Sequence, residues 1–343
     1  VAIGSNAMRD LTTGTHNIAI GSSAMYDGVV TGNHNLAIGF TALKNLTGGI
    51  GNTAIGNQAL EAVTVGNNSV AIGYQSFEAN GASEQTGLGN FSGQNNTGAE
   101  QVFVGYSAGK FVTTGTSQTF VGHKAGLGIT GAKLTGANNT AIGKSAGLAL
   151  QGSAAGNTFL GKGAGQNVTT GDSNIIIGSG IDAASATADG QLNIGDMIYG
   201  TGGASASKIG IGTNAPSDNL EIDVGASNTG LTLTDNGDDY FPQIKLDSNR
   251  SGAGQGLGKF SWHWNGTEVA RIEGAAGVDA TNKDDGSMLF NTRASGASMA
   301  TQMTILHDGT VSVDRGNLVI GTAGKGVDFA AANTGASTNS VLD

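Results

Sequence analysis

The sequence contains no cysteine and only two prolines among its 343 residues. Without cysteine no disulfide can hold the fold, so its rigidity has to come from packing and from association of chains. Aromatic residues make up 5% and charged residues 12%, the latter about half the usual share of a soluble domain. The net charge of −10 disfavours nucleic acid as a partner. No apolar run approaches the ~20 residues of a membrane-spanning helix.

Glycine, by contrast, occurs 60 times, and a subset of the glycines recurs at a nearly fixed period. An aliphatic-Gly pair appears in twelve copies, at Gly4, Gly21, Gly39, Gly56, Gly73, Gly89, Gly105, Gly122, Gly143, Gly161, Gly178 and Gly195. Of the eleven steps between copies, eight are 17 or 18 residues, two are 16 and one is 21. Such a period is typical of stacked structural units. The sequence opens inside a repeat, so we expect it to be part of a longer chain.

Each repeat combines a short β-branched segment with one polar position. The residue before the repeat glycine is always aliphatic, and the residue two positions earlier is Val, Ile, Leu or Thr. These two columns share parity, so they lie on one face of a strand, which we expect to be the interior. Four residues before the glycine, an amide occurs in ten of eleven copies and predicts a polar ladder: Asn17, Asn35, Asn52, Gln85, Gln101, Gln118, Asn139, Asn157, Asn174 and Gln191. No stretch shows the 3.6-residue period of an amphipathic helix.

These patterns predict an all-β chain in three parts. Residues 1–198 are expected to form a left-handed parallel β-solenoid with one coil per repeat, about twelve in all. Residues 199–215 are expected to form a junction. Residues 216–343 show period-two segments bounded by Gly, Asn or Asp, with hairpin signals at Asn265-Gly266 and Asp308-Gly309. They predict an antiparallel β-sandwich or barrel.

One column of the repeat predicts association of chains. The residue two before the repeat glycine has the parity opposite to the expected interior, yet it is apolar, and an apolar stripe along a solenoid would be a large exposed patch. The stripe favours a homotrimer over a dimer. The predicted trimer contacts are Ala19, Ala37, Ala54, Ala71, Phe103, Phe120, Ala141 and Phe159.

The repeats fall into two classes that differ in where the large side chain stands. Four residues after the glycine, the first five repeats carry a large side chain: Met8, Met25, Leu43, Leu60 and Phe77. The next five carry glycine there: Gly93, Gly109, Gly126, Gly147 and Gly165. Because the phenylalanines of the predicted contact column begin in this second class, we expect the cross-section of the coil to change partway along the stack.

The segment Lys259–Gly266 contains both tryptophans of the chain. Phe260, Trp262 and Trp264 alternate, so in a strand they share one face, with His263 on the other. One interpretation makes Trp262, His263 and Trp264 a receptor contact. The favoured interpretation is that the aromatic residues form the core of the second domain or its trimer contact, because a small β domain needs large side chains to fill its core.

No motif predicts a catalytic residue, a cofactor or a metal. His16 and His34 occupy the same column of neighbouring repeats and should stack in a solvated turn. The acidic run 235–239 lacks the spacing and the closing Glu of a calcium loop, and residues 321–326 lack the Gly-Lys-Ser/Thr ending of a phosphate loop. We therefore expect a protein that is not an enzyme.

Two repeats, NTAIGNQAL (52–60) and SVAIGYQSF (69–77), resemble the head repeats of trimeric autotransporter adhesins and the related repeats of bacteriophage tail fibres. The segment IGIGTNAPSDNLEI (209–222) resembles the junction that follows such repeats in phage fibres. MTILHDGTVSV (303–313) and NLVIGTAGKGVDFAA (317–331) are similar to distal parts of fibres from phages of marine bacteria and cyanobacteria. These second-half segments favour the phage family.

The resemblance implies a homotrimeric, extracellular virion component attached on its N-terminal side to other tail proteins. It further implies contact with a host receptor, a glycan or an outer-membrane protein, and no nucleic-acid partner. Two alternatives stay open. One is the head of a bacterial trimeric surface adhesin, and the other is a tailspike depolymerase acting on polysaccharide.

Overall fold

A computed structural model describes residues 1–79, 81–202, 207–223, 225, 231, 233, 244–248, 250, 252–279 and 281–316. The chain divides into two compact units, Val1–Gly230 and Leu231–Asp343. The strands of the first unit are β1 (Ala2–Ile3), β2 (Ile18–Ile20), β3 (Leu36–Ile38), β4 (Thr53–Ile55), β5 (Val70–Ile72), β6 (Gln85–Leu88), β7 (Gln101–Val104), β8 (Thr119–Val121), β9 (Thr140–Ile142), β10 (Thr158–Leu160), β11 (Ile175–Ile177), β12 (Leu192–Ile194), β13 (Ile198–Thr201), β14 (Lys208–Ile211) and β15 (Leu220–Ile222). Those of the second are β16 (Gly256–Trp264), β17 (Thr267–Ala276), β18 (Gly286–Arg293), β19 (Met299–Ile305) and β20 (Val311–Val313).

The first unit is a stacked β-solenoid, as the repeat predicts. Strands β1 to β12 pair in chain order and in parallel, each with the same column of the next repeat. Between strands the chain turns and returns, and the far side of the coil is held by backbone bonds such as Thr47 N–H to the Thr64 carbonyl at 2.8 Å. The all-β class and the solenoid are confirmed.

The orientation of the strands is the reverse of the expected one. Ala19, Ala37, Ala54, Ala71, Phe103, Phe120, Ala141 and Phe159 are fully buried within the single chain. The prediction that this column faces outward is wrong, and these residues form the core of the coil instead of contacts to another copy. The physical reason is space, because a coil of 17 residues encloses a narrow interior that small side chains and flat rings fill. The aliphatic columns on either side face outward.

The change of bulk predicted between the two classes of repeat is confirmed inside this core. Where the contact column holds alanine in the first coils, the residue four after the repeat glycine is large and fully buried, as Leu43 and Leu60 are. Ala141, whose repeat has Gly147 at that position, departs from this pattern. Where the column holds phenylalanine, that position is glycine, and an added Cβ at Gly126 would lie 2.3 Å from Cδ2 of Phe120. The rings of Phe103 and Phe120 stack at 5.3 Å with 15° between their planes.

The repeat glycine permits the close approach of neighbouring coils. From Gly4 to Gly178 these glycines have φ between 128° and 138°, a region that side chains rarely adopt. A Cβ on Gly56 would lie 2.4 Å from the carbonyl oxygen of Gly73, one coil further on. The glycine column is therefore required by backbone-to-backbone packing.

The predicted amide ladder is confirmed, and all its members are buried. Eight of the ten amide oxygens accept the backbone N–H of the equivalent residue in the next coil, as Asn139 Oδ1 does from Asn157 N at 3.1 Å, whereas Gln85 Oε1 has no partner and Gln191 Oε1 accepts from Ser185 N. Most of the amide nitrogens donate to a carbonyl at the corner, as Asn157 Nδ2 does to Gly171 O at 2.9 Å. The ladder thus satisfies backbone groups that the corner would otherwise leave without partners.

Asn157→Leu is expected to destabilise the solenoid by about 1–3 kcal/mol. The substitution removes the acceptor of Asn174 N–H, 2.9 Å away, and leaves the carbonyl of Gly171 without its amide donor in a buried corner. Urea denaturation of parent and variant measures the effect. The exposed Asn57→Leu is the control, and equal stability of Asn157→Leu and the parent would contradict the ladder's role.

Beyond β12 the sheet changes direction within residues 199–215, the predicted junction. Strand β13 runs antiparallel to β12, β14 antiparallel to β13, and β15 parallel to β14. These strands extend the solenoid sheet to fifteen strands.

The second unit contains one antiparallel sheet in the order β16-β17-β18-β19-β20. Both predicted hairpin turns connect neighbouring strands, and Asn265 and Gly266 have φ of 47° and 77°, as a tight two-residue turn requires. The sequence predicts a sandwich or barrel, which needs a second layer or a closed sheet. Residues 244–316, where described, form no second layer against this sheet. Within 252–316, only Ala275 and Asn291 are buried among the described residues.

Candidate interaction surfaces

The outward side of the solenoid sheet is lined by aliphatic side chains along its whole length. We call this surface the aliphatic face. Ile142 and Leu160 on it are 39% and 46% exposed, and the parallel register places each such residue beside its equivalent in the next coil. The half-exposed or exposed members are Ile18, Ile20, Leu36, Ile38, Ile55, Val70, Ile72, Leu88, Val102, Val104, Val121, Ile142, Leu160, Ile175, Ile177, Leu192 and Ile194.

The core of the coil does not need the residues of the aliphatic face. The core of each coil is complete without it, because Ala, Leu, Met and Phe side chains fill the interior to full burial. An exposed apolar surface that continues from coil to coil is of the kind that marks a site of association.

The sheet of the second unit is amphipathic across all five strands. Cross-strand partners place Phe260 beside Ile272, Phe290, Met303 and Val313 in one row. The neighbouring rows contribute Trp262, Ala270, Met288, Ile305 and Val311 to the same side. We call this side the apolar sheet face. Nothing among the described residues covers it, since Phe260, Trp262 and Trp264 are 49%, 52% and 79% exposed.

The opposite side of the sheet is polar. The Lys259 ammonium lies 3.0 Å from the Glu268 carboxylate, and Arg271 lies 3.5 Å from the same carboxylate. The hydrogen bond from Lys259 is the main cause that lowers the pKa of Glu268. Ser261, His263, Asn291 and Thr301 continue this side, with Thr301 donating to Asn291 Oδ1 at 2.9 Å. Solvent is the natural environment of this side.

The three residues of the predicted receptor contact are not brought together. Trp262 and Trp264 belong to the apolar sheet face, whereas His263 lies on the polar side 3.3 Å from Ser261. The described residues of the second unit form no core around these aromatic side chains, which are exposed, and their role as a trimer contact stays a prediction. Their sharing of one face, predicted from alternation, is correct.

Of the remaining candidate sites, the structure describes only the histidine pair. His16 and His34 stack as predicted, with ring centroids 4.8 Å apart and 14° between planes. Among the described residues no group of three or more His, Asp or Glu side chains could hold a metal ion. The acidic run 235–239 and the glycine-rich run 321–326 lie outside the described residues. No helix long and apolar enough to cross a membrane occurs in the described part of the chain.

Comparison with known proteins gives no relative. No protein-family model, no curated protein and no solved structure matches this chain.

Proposed function

We propose that this chain is a structural and adhesive fibre protein, a homotrimeric rod that carries a host-attachment function on a phage tail. The observation that carries the proposal is the aliphatic face, whose column next to the repeat glycine is aliphatic in every coil, on a solenoid whose core is already complete. Such a surface serves packing against a partner as long and as regular as itself. A second copy of this chain has both properties.

The regular spacing of the aliphatic face favours copies in register. Each coil presents the same columns at a rise of ~4.8 Å, so a neighbouring copy meets every aliphatic residue with an equivalent one at the same height. Full burial of one Val, Leu or Ile stabilises by about 1.5–3 kcal/mol. Summed over the stack, this exceeds the cost of association, and three faces can close around one axis and leave none in water.

The second unit supports self-association independently. A single sheet with one apolar side cannot bury that side alone, and three copies facing one another would form the enclosed core that the sequence predicts as a sandwich or barrel. Closed cyclic symmetry of this kind is the usual form of homo-oligomers.

The assignment to a phage tail rests on the sequence resemblance of the repeats, the junction and the distal segments. It implies an extracellular virion protein that binds a host surface receptor at one end and other tail proteins at the other. The head of a bacterial adhesin would be a trimeric rod of the same kind, so the proposal for the rod holds for a phage protein and for a bacterial one.

Light scattering of the purified chain tests the rod. We expect three times the chain mass of 33.9 kDa. Ile142→Lys places a cation on the aliphatic face and should lower the mass to that of one chain, because burying an unpaired charge costs several kcal/mol. Thr114→Lys, at an exposed turn outside the aliphatic face, is the matched control and should keep the parent's mass. A monomeric parent would overturn the proposal.

Trp262→Ala is expected to weaken the assembly of the second unit. In the trimer the apolar sheet face is enclosed, so tryptophan emission should be blue-shifted and protected from iodide. In the variant, the free energy of unfolding of the second unit should fall by about 3–5 kcal/mol per chain, the range for truncation of buried aromatic side chains. His263→Ala, on the polar side, should melt like the parent. Free quenching of Trp262 in the assembled parent would show that this face stays open.

A further inference from the structure

Cations are concentrated in one part of this acidic chain. Residues 101–171 contain five lysines and no Asp or Glu, although the whole chain carries a net charge of −10. Four of these lysines, with one histidine, lie in the turns that follow the repeat glycines of four consecutive coils. We call this set the basic edge: Lys110, His123, Lys124, Lys144 and Lys162.

The register of the solenoid aligns the basic edge. Val121, Ile142 and Leu160 are partners across β8, β9 and β10. Two residues after each of them come His123, Lys144 and Lys162, all exposed, so these side chains follow one another at about 4.8 Å per coil. These three side chains directly follow the repeat glycine, so they border the aliphatic face without being part of it.

The lysines of the basic edge have no carboxylate partners. None of the ion pairs among the described residues includes Lys110, Lys124, Lys144 or Lys162. Like charges directly beside one another on neighbouring strands destabilise a sheet. In a chain rich in carboxylates, a row of cations without partners is therefore not explained by stability, and it favours an external anion.

Aromatic rings adjoin the cations at the start of the basic edge. The rings of Tyr106 and His123 stack with centroids 5.4 Å apart and 15° between planes. Phe91 meets Tyr106 edge-on at 5.8 Å, and the Lys110 ammonium lies 4.3 Å above the Phe91 ring. Tyr106 is 46% exposed. Ring surfaces of this kind pack against the apolar faces of sugar rings, and lysines bind carboxylates.

We propose that the basic edge binds an acidic polysaccharide that runs along the coils. Lys144 and Lys162 hold carboxylates of successive sugar residues, and Tyr106 packs against a sugar ring. The charge spacing favours this partner over nucleic acid, because a single row of cations at about 4.8 Å is sparse beside the phosphate charge of duplex DNA at ~1.7 Å. The inference names the partner class of the adhesive role and rests on the proposed function.

The test measures binding of polygalacturonate to the full chain by biolayer interferometry, with dextran as the neutral polymer. We expect binding to polygalacturonate only, weakened by NaCl. Lys144→Gln with Lys162→Gln should weaken it about tenfold, the effect of two exposed charge contacts. Lys133→Gln with Lys245→Gln makes the same change in net charge away from the basic edge and should bind as the parent does. Light scattering of each sample reports its oligomeric state.

Four results would overturn the inference: no binding by the parent, equal binding of dextran, an equal loss in the control pair, or tighter binding of single-stranded oligothymidylate through the same lysines. Dissociation of the Lys144→Gln/Lys162→Gln variant into single chains would also overturn it, because the lysines would then pair with carboxylates of another copy. If the parent is a trimer but binds no polymer, this inference is wrong and the proposed trimeric rod stands. If the parent is a monomer and binds polygalacturonate through these lysines, the inference is supported and the proposed trimeric rod is wrong.

Discussion

Ala54→Arg is expected to unfold the solenoid around its fourth coil, even in a single chain. Ala54 is fully buried between Ala37 and Ala71 of the neighbouring coils. A guanidinium there has neither space nor a counter-charge, and the penalty for an unpaired buried charge is several kcal/mol. Circular dichroism in a guanidinium titration should show a large loss of stability or no folded state.

Ile55→Arg is the matched control, one residue further along the same strand. Ile55 faces outward, so the variant chain should keep its coil and lose only its association with other copies. If Ala54→Arg instead remained folded and became monomeric while Ile55→Arg unfolded, the strands would have the orientation opposite to that of the structure.

Phe120→Ala is expected to cost about 3–5 kcal/mol of solenoid stability, the range for buried aromatic truncations. The ring stacks on Phe103 and fills the space that Gly126 leaves open. Urea unfolding measures the loss, and Phe40→Ala, at a position 52% exposed, should change little.

A second substitution makes this prediction sharper. Leu43 and Leu60 occupy the column of Gly126 in earlier coils, each with φ of 49°, and they face alanine across the core. Phe120→Ala with Gly126→Leu rebuilds that arrangement, so the double variant should recover part of the lost stability. No recovery, or a further loss, would show that the two columns do not share one interior.

The repeat period, the amide ladder and the exchange of bulk between columns could be predicted from the sequence, because each depends on residue type at one position of the coil. The orientation of the strand could not be predicted from hydrophobicity alone. Both sides of the strand are apolar, and the preference of Ile for interiors over Ala favoured the wrong side. The decisive signal was the inverse relation of size between two columns, alanine facing Leu60 and phenylalanine facing Gly126.

In the second unit, alternation predicted the shared face of Phe260, Trp262 and Trp264, and the turn residues predicted the hairpins. Whether this sheet is covered by a second layer of the same chain could not be predicted from the sequence. A two-sided pattern shows that one side of a sheet is buried but gives no information on whether the covering layer comes from the same chain or from another copy.

The central claim is that the aliphatic face points outward and is covered by other copies of the chain. Because the chain has no cysteine, Ile142→Cys introduces one reactive thiol on that face, and its rate of reaction with a maleimide reports its exposure directly. We predict strong protection in the assembled protein and rapid reaction when the same variant also carries Ile55→Arg and is monomeric. Reaction of the assembled protein at the monomer's rate would contradict the account.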